Sequence, residues 1–104
     1  MIHVLATIQV VEGKRSAFLE QFAGVVPLVR AEAGCLEYGA AVDVPTPIAV
    51  QSPVRSDVVM VIEKWASLEA LQAHLQAPHM LAYRQRISGL VKSVTLQILE
   101  PASA

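Results

Sequence analysis

The chain contains four short apolar segments and two regions whose apolar residues recur with helical spacing. The order of these segments is the feature that most limits the possible folds. The first segment, residues 2–11, is rich in β-branched side chains and apolar at nearly every position. This pattern predicts a strand covered on both faces. Residues 35–42, 58–65 and 92–100 predict three further strands by their alternation and β-branched content.

A helix is predicted between the first two strands, over residues 14–33. Its apolar positions recur at offsets of four, three and four, at Phe18, Phe22, Val25 and Val29. Gly34 is a stop signal, because glycine readily takes the left-handed conformation that ends helices. Pro27 lacks a backbone donor, so we expect a kink there or an early end to the helix.

A second helical region follows the third strand. Ser67 is the expected N-cap, and the predicted core stripe consists of Leu68, Leu71 and Leu75. Pro78 interrupts this region. A further helical segment is predicted beyond the break, with apolar positions at Met80, Tyr83, Ile87 and Leu90.

The resulting order is β-α-β-β-α-β, which predicts an α+β fold of the ferredoxin-like type with an antiparallel sheet and its helices on one side. Hydrophobic residues make up 54% of the chain and charged residues 16%, against roughly 45–50% and 25% in an average soluble domain. Strands this apolar indicate that the second face of the sheet is covered as well. We therefore expect a homodimer whose two sheets pack face to face into a dimeric α+β barrel.

The bulk properties exclude several classes of partner. The net charge is −1 without a basic cluster, so nucleic acid is not expected. No run approaches the roughly 20 apolar residues of a membrane span. The start of the chain alternates like a strand rather than a signal peptide, and a single cysteine, Cys35, suits a reducing compartment. A cytoplasmic location is the expectation.

Residues 1–104 are expected to form one domain, interrupted by an irregular connection at about residues 43–57. Three prolines in this connection prevent a regular strand: Pro45, Pro47 and Pro53. A connection of this length is often functional or mobile. It could form a lid, an arm over a partner subunit, or a tolerated surface insertion.

The segment Glu63–Met80, EKWASLEALQAHLQAPHM, holds most of the residues suited to chemistry. Trp65 and Glu63 share one face of the third strand, where an indole can form a flat wall for an aromatic ligand or simply fill the core. His74 lies on the flank of the apolar stripe, where it could act as a neutral base towards a phenol or serve only as a hydrogen-bonded bridge. His79, directly after Pro78, is expected to cap or pin the break.

A metal site is not expected. His74 and His79 are five positions apart with a proline between them, which is not the i, i+4 spacing that places two ligands on one helical face, even if Glu63 or His3 joined them. Glycine-rich phosphate loops, paired cysteines and a G-x-S-x-G elbow are also missing from the sequence. Tyr38 and Tyr83 could line an apolar cavity or belong to the core.

Three parts of the sequence resemble the antibiotic biosynthesis monooxygenase family, which includes small quinol monooxygenases. They are EAGCLEY (Glu32–Tyr38), the segment Glu63–Met80 and the closing strand. The H-x-x-x-P-H element with an upstream E-x-W is the most specific part of the resemblance. The resemblance as a whole implies a dimeric α+β barrel that oxidises a small aromatic quinol or polyphenol with O2 and without metal, flavin or haem.

The resemblance also implies roles for individual residues. Trp65 and Tyr38 would line the pocket and His74 would polarise or deprotonate the substrate hydroxyl, so that His74 and Trp65 are the expected catalytic residues. Tyr38, Glu63, His79 and Tyr83 are the expected substrate-binding residues.

Other functions on the same scaffold remain alternatives. A haem-degrading branch resembles a pattern with an asparagine and a haem-ligating histidine at places that correspond to Ala6 and Arg84, so haem is not expected. A dimeric module that binds a small molecule without turnover is one alternative, and an isomerase or lyase is another.

Overall fold

The computed structural model describes residues 1–103 and confirms the predicted element order. The bounds of the strands and helices are β1 (Ile2–Val10), α1 (Arg15–Arg30), β2 (Cys35–Ala41), β3 (Val58–Trp65), α2 (Leu68–Leu75), α3 (Pro78–Arg86) and β4 (Val91–Leu99). The predicted break at Pro78 therefore separates two short helices, α2 and α3, with the proline in the first turn of α3. At that position its missing N–H has no helical partner to lose.

The four strands form one antiparallel sheet in the order β2-β3-β1-β4. Side chains of β1 that point towards the helices are buried and alternate with half-buried ones on the other face; the buried set is Val4, Ala6, Ile8 and Val10. The core therefore lies between this face and the helices, as the ferredoxin-like prediction requires. The two-sheet barrel at a dimer interface stays a prediction.

Helix α1 continues through Pro27 and ends at Arg30, rather than at the predicted Ala33. Its four predicted apolar positions are all buried. Pro27 lies in the last turn, and its carbonyl still accepts a hydrogen bond from the N–H group of Ala31 at 3.2 Å. The helix therefore keeps a single buried face against the sheet.

Gly34 holds the connection between α1 and β2 against α2. It has φ +82°, and a Cβ atom added there would lie 2.6 Å from the Cβ of Ala70. The carbonyl of Gly34 also accepts a hydrogen bond from the N–H of Ala66 at 2.8 Å. Only glycine combines this backbone conformation with so close an approach, so residues 31–34 pack directly onto the start of α2.

Strand β2 corrects one detail of the predicted pattern. Alternation along residues 35–42 predicts Leu36 on the same face as Tyr38, but Leu36 is 57% exposed whereas Tyr38 is 4% exposed. The register with β3 shifts between Cys35 and Glu37, so that Leu36 is the extra residue of a β-bulge. The bulge turns Leu36 outwards and leaves Tyr38 facing the helices.

Helix α2 begins with the predicted cap, since the Ser67 hydroxyl accepts a hydrogen bond from the N–H of Ala70 at 3.1 Å. Its buried face differs from the predicted leucine stripe. Leu68, in the first turn, is 46% exposed, whereas Leu71 and His74 are each 1% exposed. The helix therefore turns His74 as well as Leu71 towards the centre of the protein.

The connection at residues 43–57 contains no strand or helix, and an ion pair closes its base. The Arg55 guanidinium donates to both carboxylate oxygens of Asp43, at 2.8 and 2.9 Å. Between these residues the chain exposes apolar side chains, among them Val44, Ile48 and Val50. In residues 1–103, none of the helices has the length and apolar character that crossing a bilayer would require.

Candidate functional site

A cavity of about 280 Å³ lies between the helix-covered face of the sheet and helices α2 and α3. Most of its wall is apolar. The lining residues are Ala6, Ile8, Tyr38, Val61, Glu63, His74, Leu75, Met80, Tyr83, Arg84, Ile87, Val94 and Leu96. An apolar cavity with a few converging polar groups is the usual form of a small-molecule site.

The cavity opens beside edge strand β4. Val94 and Leu96 line it, yet they are 49% and 43% exposed. The helices thus cover the β1 and β3 part of the sheet and leave the β4 part uncovered. A flat ligand could enter along this edge.

His74 is the first polar group of the cavity wall, and its orientation is fixed by Glu32. The Nδ1 atom lies 2.9 and 3.2 Å from the two carboxylate oxygens of Glu32. Because a carboxylate can only accept, Nδ1 carries the proton and Nε2 keeps its lone pair. Burial lowers the pKa of His74 below its ordinary value, although the Glu32 carboxylate acts in the opposite direction. The imidazole is therefore neutral near pH 7 and can act as a base.

Glu32 bridges two histidines, since the same carboxylate lies 2.7 Å from the Nε2 atom of His79. Sequence reasoning did not identify Glu32 as a site residue. It is 42 and 47 positions away from its two partners, and no periodicity connects residues that far apart. The signal that could have found it is Gly34, whose close contact with α2 places the preceding residues beside that helix.

Glu63 is the second polar group of the wall and is 6% exposed. Its Oε1 atom accepts a hydrogen bond from the indole N–H of Trp65 at 2.9 Å. Burial is the largest influence and raises the pKa of Glu63 to about 7, while the Trp65 N–H lowers it and the charge of Glu32 raises it further. Among the described residues Glu63 has no ion-pair partner.

Trp65 lies behind the cavity wall. Its side chain is fully buried, and its ring centroid is 4.6 Å from that of His74 with a tilt of 35°. It shares the strand face of Glu63, as the spacing predicts, but it is not among the lining residues. Trp65 therefore contacts both polar groups of the wall without forming the cavity surface itself.

Tyr38 and Tyr83 line the cavity and are linked by Phe22. The ring of Phe22 stacks on Tyr38 at 5.3 Å and meets Tyr83 edge-on at 6.4 Å. Burial raises the pKa of both phenols above the ordinary value. Both hydroxyl groups therefore stay protonated, and the rings provide a flat aromatic surface.

His79 and Arg84 belong to α3 and differ in position. His79 is not a lining residue; its side chain is 24% exposed and bonds to Glu32. Arg84 does line the cavity, and its Nη2 atom donates to the carbonyl of Leu75 at 2.6 Å, at the end of α2. Nowhere in residues 1–103 do three His, Cys, Asp or Glu side chains converge so as to hold a metal ion.

Comparison with known proteins places the chain among similar sequences and structures. Residues 1–86 match the antibiotic biosynthesis monooxygenase family. A protein of Escherichia coli K12 named "Probable quinol monooxygenase YgiN" is 42% identical over 103 residues, which cover 97% of this chain and 98% of that protein.

Solved structures share the fold over nearly their whole length. PA3566 from Pseudomonas aeruginosa superposes with a TM-score of 0.80 at 26% identity, covering 98% of this chain and 94% of that one. Rv0793 from Mycobacterium tuberculosis gives a TM-score of 0.78 at 25% identity, covering 99% and 96%.

The buried Glu63 carboxyl makes stability depend on pH in a defined direction. Its pKa is about 7 in the fold against an ordinary 4.5, so the folded chain holds more protons between these values and the free energy of unfolding falls as pH rises through them. His74 acts oppositely, because its lowered pKa makes the free energy of unfolding fall as pH drops below an ordinary 6.5.

Replacing Glu63 by glutamine isolates the effect of the carboxyl group on the pH dependence of stability, because the effect of His74 is the same in the variant and the wild type. The free energy of unfolding of Glu63→Gln minus that of wild type should be more positive at pH 8 than at pH 5, by about 2 to 3 kcal/mol. Urea unfolding at both pH values measures this difference, with the exposed Glu12→Gln as the matched control. An equal difference at pH 5 and pH 8 would show that Glu63 is not held neutral by burial.

Proposed function

The chain belongs to the antibiotic biosynthesis monooxygenase family, and from that premise we propose that it oxidises a small aromatic quinol or polyphenol with O2 and without a cofactor. The observation that carries the proposal is a neutral, oriented imidazole at the wall of an apolar cavity. The name of the Escherichia coli relative at 42% identity, "Probable quinol monooxygenase YgiN", supports this substrate class.

The first chemical step is the removal of a phenolic proton by Nε2 of His74. The resulting anion is electron-rich enough to pass one electron directly to O2, which leaves a substrate radical beside superoxide. An apolar cavity that excludes water favours recombination of this pair at the ring over its escape into solvent. Recombination forms a carbon–oxygen bond, so the ring rather than an added cofactor supplies the electrons.

The surrounding residues have separate roles in this proposal. Tyr38 and Tyr83 bind the aromatic ring of the substrate, and Glu63 contacts its oxygen atoms from the sheet side. Trp65 is a positioning residue, because it touches His74 and Glu63 rather than the cavity. His79 acts through Glu32, whose carboxylate it shares with His74.

We further propose that a second copy of the chain covers the open face of the sheet. This face carries Leu5, Met60, Ile62 and Leu99, opposite the helices, and Ile62 and Leu99 are 38% and 45% exposed. Two such faces related by a two-fold axis would form the predicted barrel. Sedimentation equilibrium at micromolar concentration should give twice the chain mass, and a monomer mass would contradict the proposal.

The free thiol of Cys35 supports a reducing compartment, and we propose the cytoplasm as the location. Fractionation of cells that carry the tagged protein tests this, and recovery in an oxidising compartment would contradict it.

Oxygen uptake tests the activity directly. Protein and a panel of quinols are mixed anaerobically and then exposed to air, and uptake should exceed autoxidation for at least one quinol. Loss of the base in His74→Ala should lower the rate at least about 100-fold. Gln72→Ala, on the exposed side of the same helix, should leave it unchanged.

Three outcomes would contradict the oxygenase proposal. The first is O2 uptake that never exceeds autoxidation with the wild-type protein and is the same with His74→Ala, which would show that the protein does not catalyse the oxidation. Quenching of Trp65 fluorescence by a quinol that is recovered unchanged would indicate a binding module. Product formed without oxygen consumption would indicate an isomerase or lyase.

A further inference from the structure

Glu63 is a carboxyl group in the cavity wall without a cation to balance it. Its only side-chain hydrogen bond within the described chain comes from Trp65. Arg84 lines the same cavity, but its Nη2 atom is bonded to the carbonyl of Leu75. A buried carboxyl in such a position is held as the neutral acid, because the charged form would lose its hydration without gaining a partner.

We propose that Glu63 is a second catalytic residue, the acid that protonates the oxygen leaving as water when the peroxide bond of the oxygenated quinol breaks. This inference rests on the proposed function and adds to it the step that completes the reaction. It gives Glu63 a chemical role different from that of His74, which removes protons from the quinol and from the oxygenated ring carbon.

Except for the Arg84 guanidinium, a cation that is bonded to the Leu75 carbonyl, the titratable groups around Glu63 favour its neutral form or stay uncharged themselves. These groups come from β2, α2, α3 and the turn before β2: Cys35 and Tyr38, His74, Tyr83 and Arg84, and Glu32. The neighbouring strand β1 places Val4 beside Glu63, and its one titratable residue, His3, lies on the other face. Tyr38 pairs with Glu63 across the sheet and remains a phenol. Burial, assisted by the negative charge of Glu32, raises the pKa of Glu63 to about 7, which suits an acid that works near neutral pH.

Trp65 fixes which oxygen of the carboxyl can donate. Its N–H occupies Oε1 at 2.9 Å, so the carbonyl character stays on Oε1 and the proton is carried by Oε2. The same indole packs against the imidazole of His74 at 4.6 Å. One side chain therefore positions the acid and the base on the wall of a single cavity.

The atoms and electrons of the proposed sequence balance. The proton that His74 first took from the quinol passes to the peroxide formed by recombination, which gives a ring hydroperoxide and a neutral imidazole. Nε2 of His74 then removes the hydrogen of the oxygenated ring carbon, and its electron pair forms a C=O bond as the O–O bond breaks. The departing oxygen takes the proton of Glu63 and leaves as water.

Transfer of the proton from His74 to Glu63 restores both groups. One oxygen atom of O2 enters the ring and the other becomes water, so the quinol loses four electrons and O2 gains four. The net reaction converts the quinol and O2 to a hydroxyquinone and water.

The test measures how O2 consumption divides between hydroxyquinone and hydrogen peroxide, using the quinol that gives the highest uptake with wild type. Glu63→Gln keeps an acceptor for the Trp65 N–H but cannot supply the proton. Formation of hydroxyquinone should fall about 100-fold, while released peroxide per O2 rises and the Kd for the quinol under nitrogen stays within a factor of about three. Glu12→Gln should match wild type.

Two measurements on the wild-type protein do not depend on the folding of a variant. The peroxide released per product should rise as pH passes through about 7, where Glu63 ionises. Infrared spectroscopy of the wild-type protein at pH 6 should show a protonated carboxyl band that disappears as pH rises through about 7. An unchanged division of products in the variant, or an ionised Glu63 at pH 6, would overturn the inference.

Failure of the proposed function has a different signature. In that case the wild-type protein consumes no O2 beyond autoxidation with any quinol, and the inference fails with it even if the infrared band shows a neutral Glu63. Oxygen uptake with normal division in Glu63→Gln would instead keep the oxygenase and reject the acid.

Discussion

The indole of Trp65 is the contact on which the arrangement of the site depends. It fills the space between the end of β3 and helix α2, donates its N–H to Glu63 and packs against the ring of His74. Strand alternation places Glu63 and Trp65 on one face, and the cap at Ser67 starts α2 so that His74 turns inwards. The strand before the β3–α2 turn and the helix after it therefore each place a polar side chain against one fully buried ring.

Burial then acts on two neighbouring groups in opposite directions. The pKa of the Glu63 carboxyl rises and that of the His74 imidazole falls, because in each case the charged form loses its hydration. The result is a base that is uncharged near neutral pH and an acid that ionises only at about pH 7, both on the wall of one apolar cavity. Glu32 keeps the imidazole oriented without entering the cavity. A site of this kind handles protons while giving a phenolic substrate few competing charges.

The fold was predictable from the sequence because the spacing of apolar residues that indicates each strand or helix lies within that element. Alternation in β1 and the stripe from Phe18 to Val29 fix which faces are buried, and their order limits the topology. The bulge at Leu36 was not predictable, because a one-residue slip changes the face of a side chain without changing the composition of the strand. The exposure of Leu68 likewise follows from the position of the cap rather than from its hydrophobicity.

The site was predictable only in part, because its contacts join distant segments. Glu63, Trp65 and His74 were identified from local spacing, and the structure brings these three together. Trp65 was expected in the pocket wall, a placement that spacing cannot distinguish from a position one layer deeper. Glu32 escaped notice because it reaches its partners only through the Gly34 contact with α2, which depends on the tertiary fold.

A crystal structure of the protein with a bound, redox-inert quinol analogue tests the central claim most directly, namely that the acid and the base face one ligand in one cavity. The account predicts the aromatic ring between Tyr38 and Tyr83, with one hydroxyl within hydrogen-bond distance of Nε2 of His74 and the Glu63 carboxyl facing the same ring. A ligand bound outside this cavity, or a cavity closed by aliphatic side chains in the crystal, would contradict it.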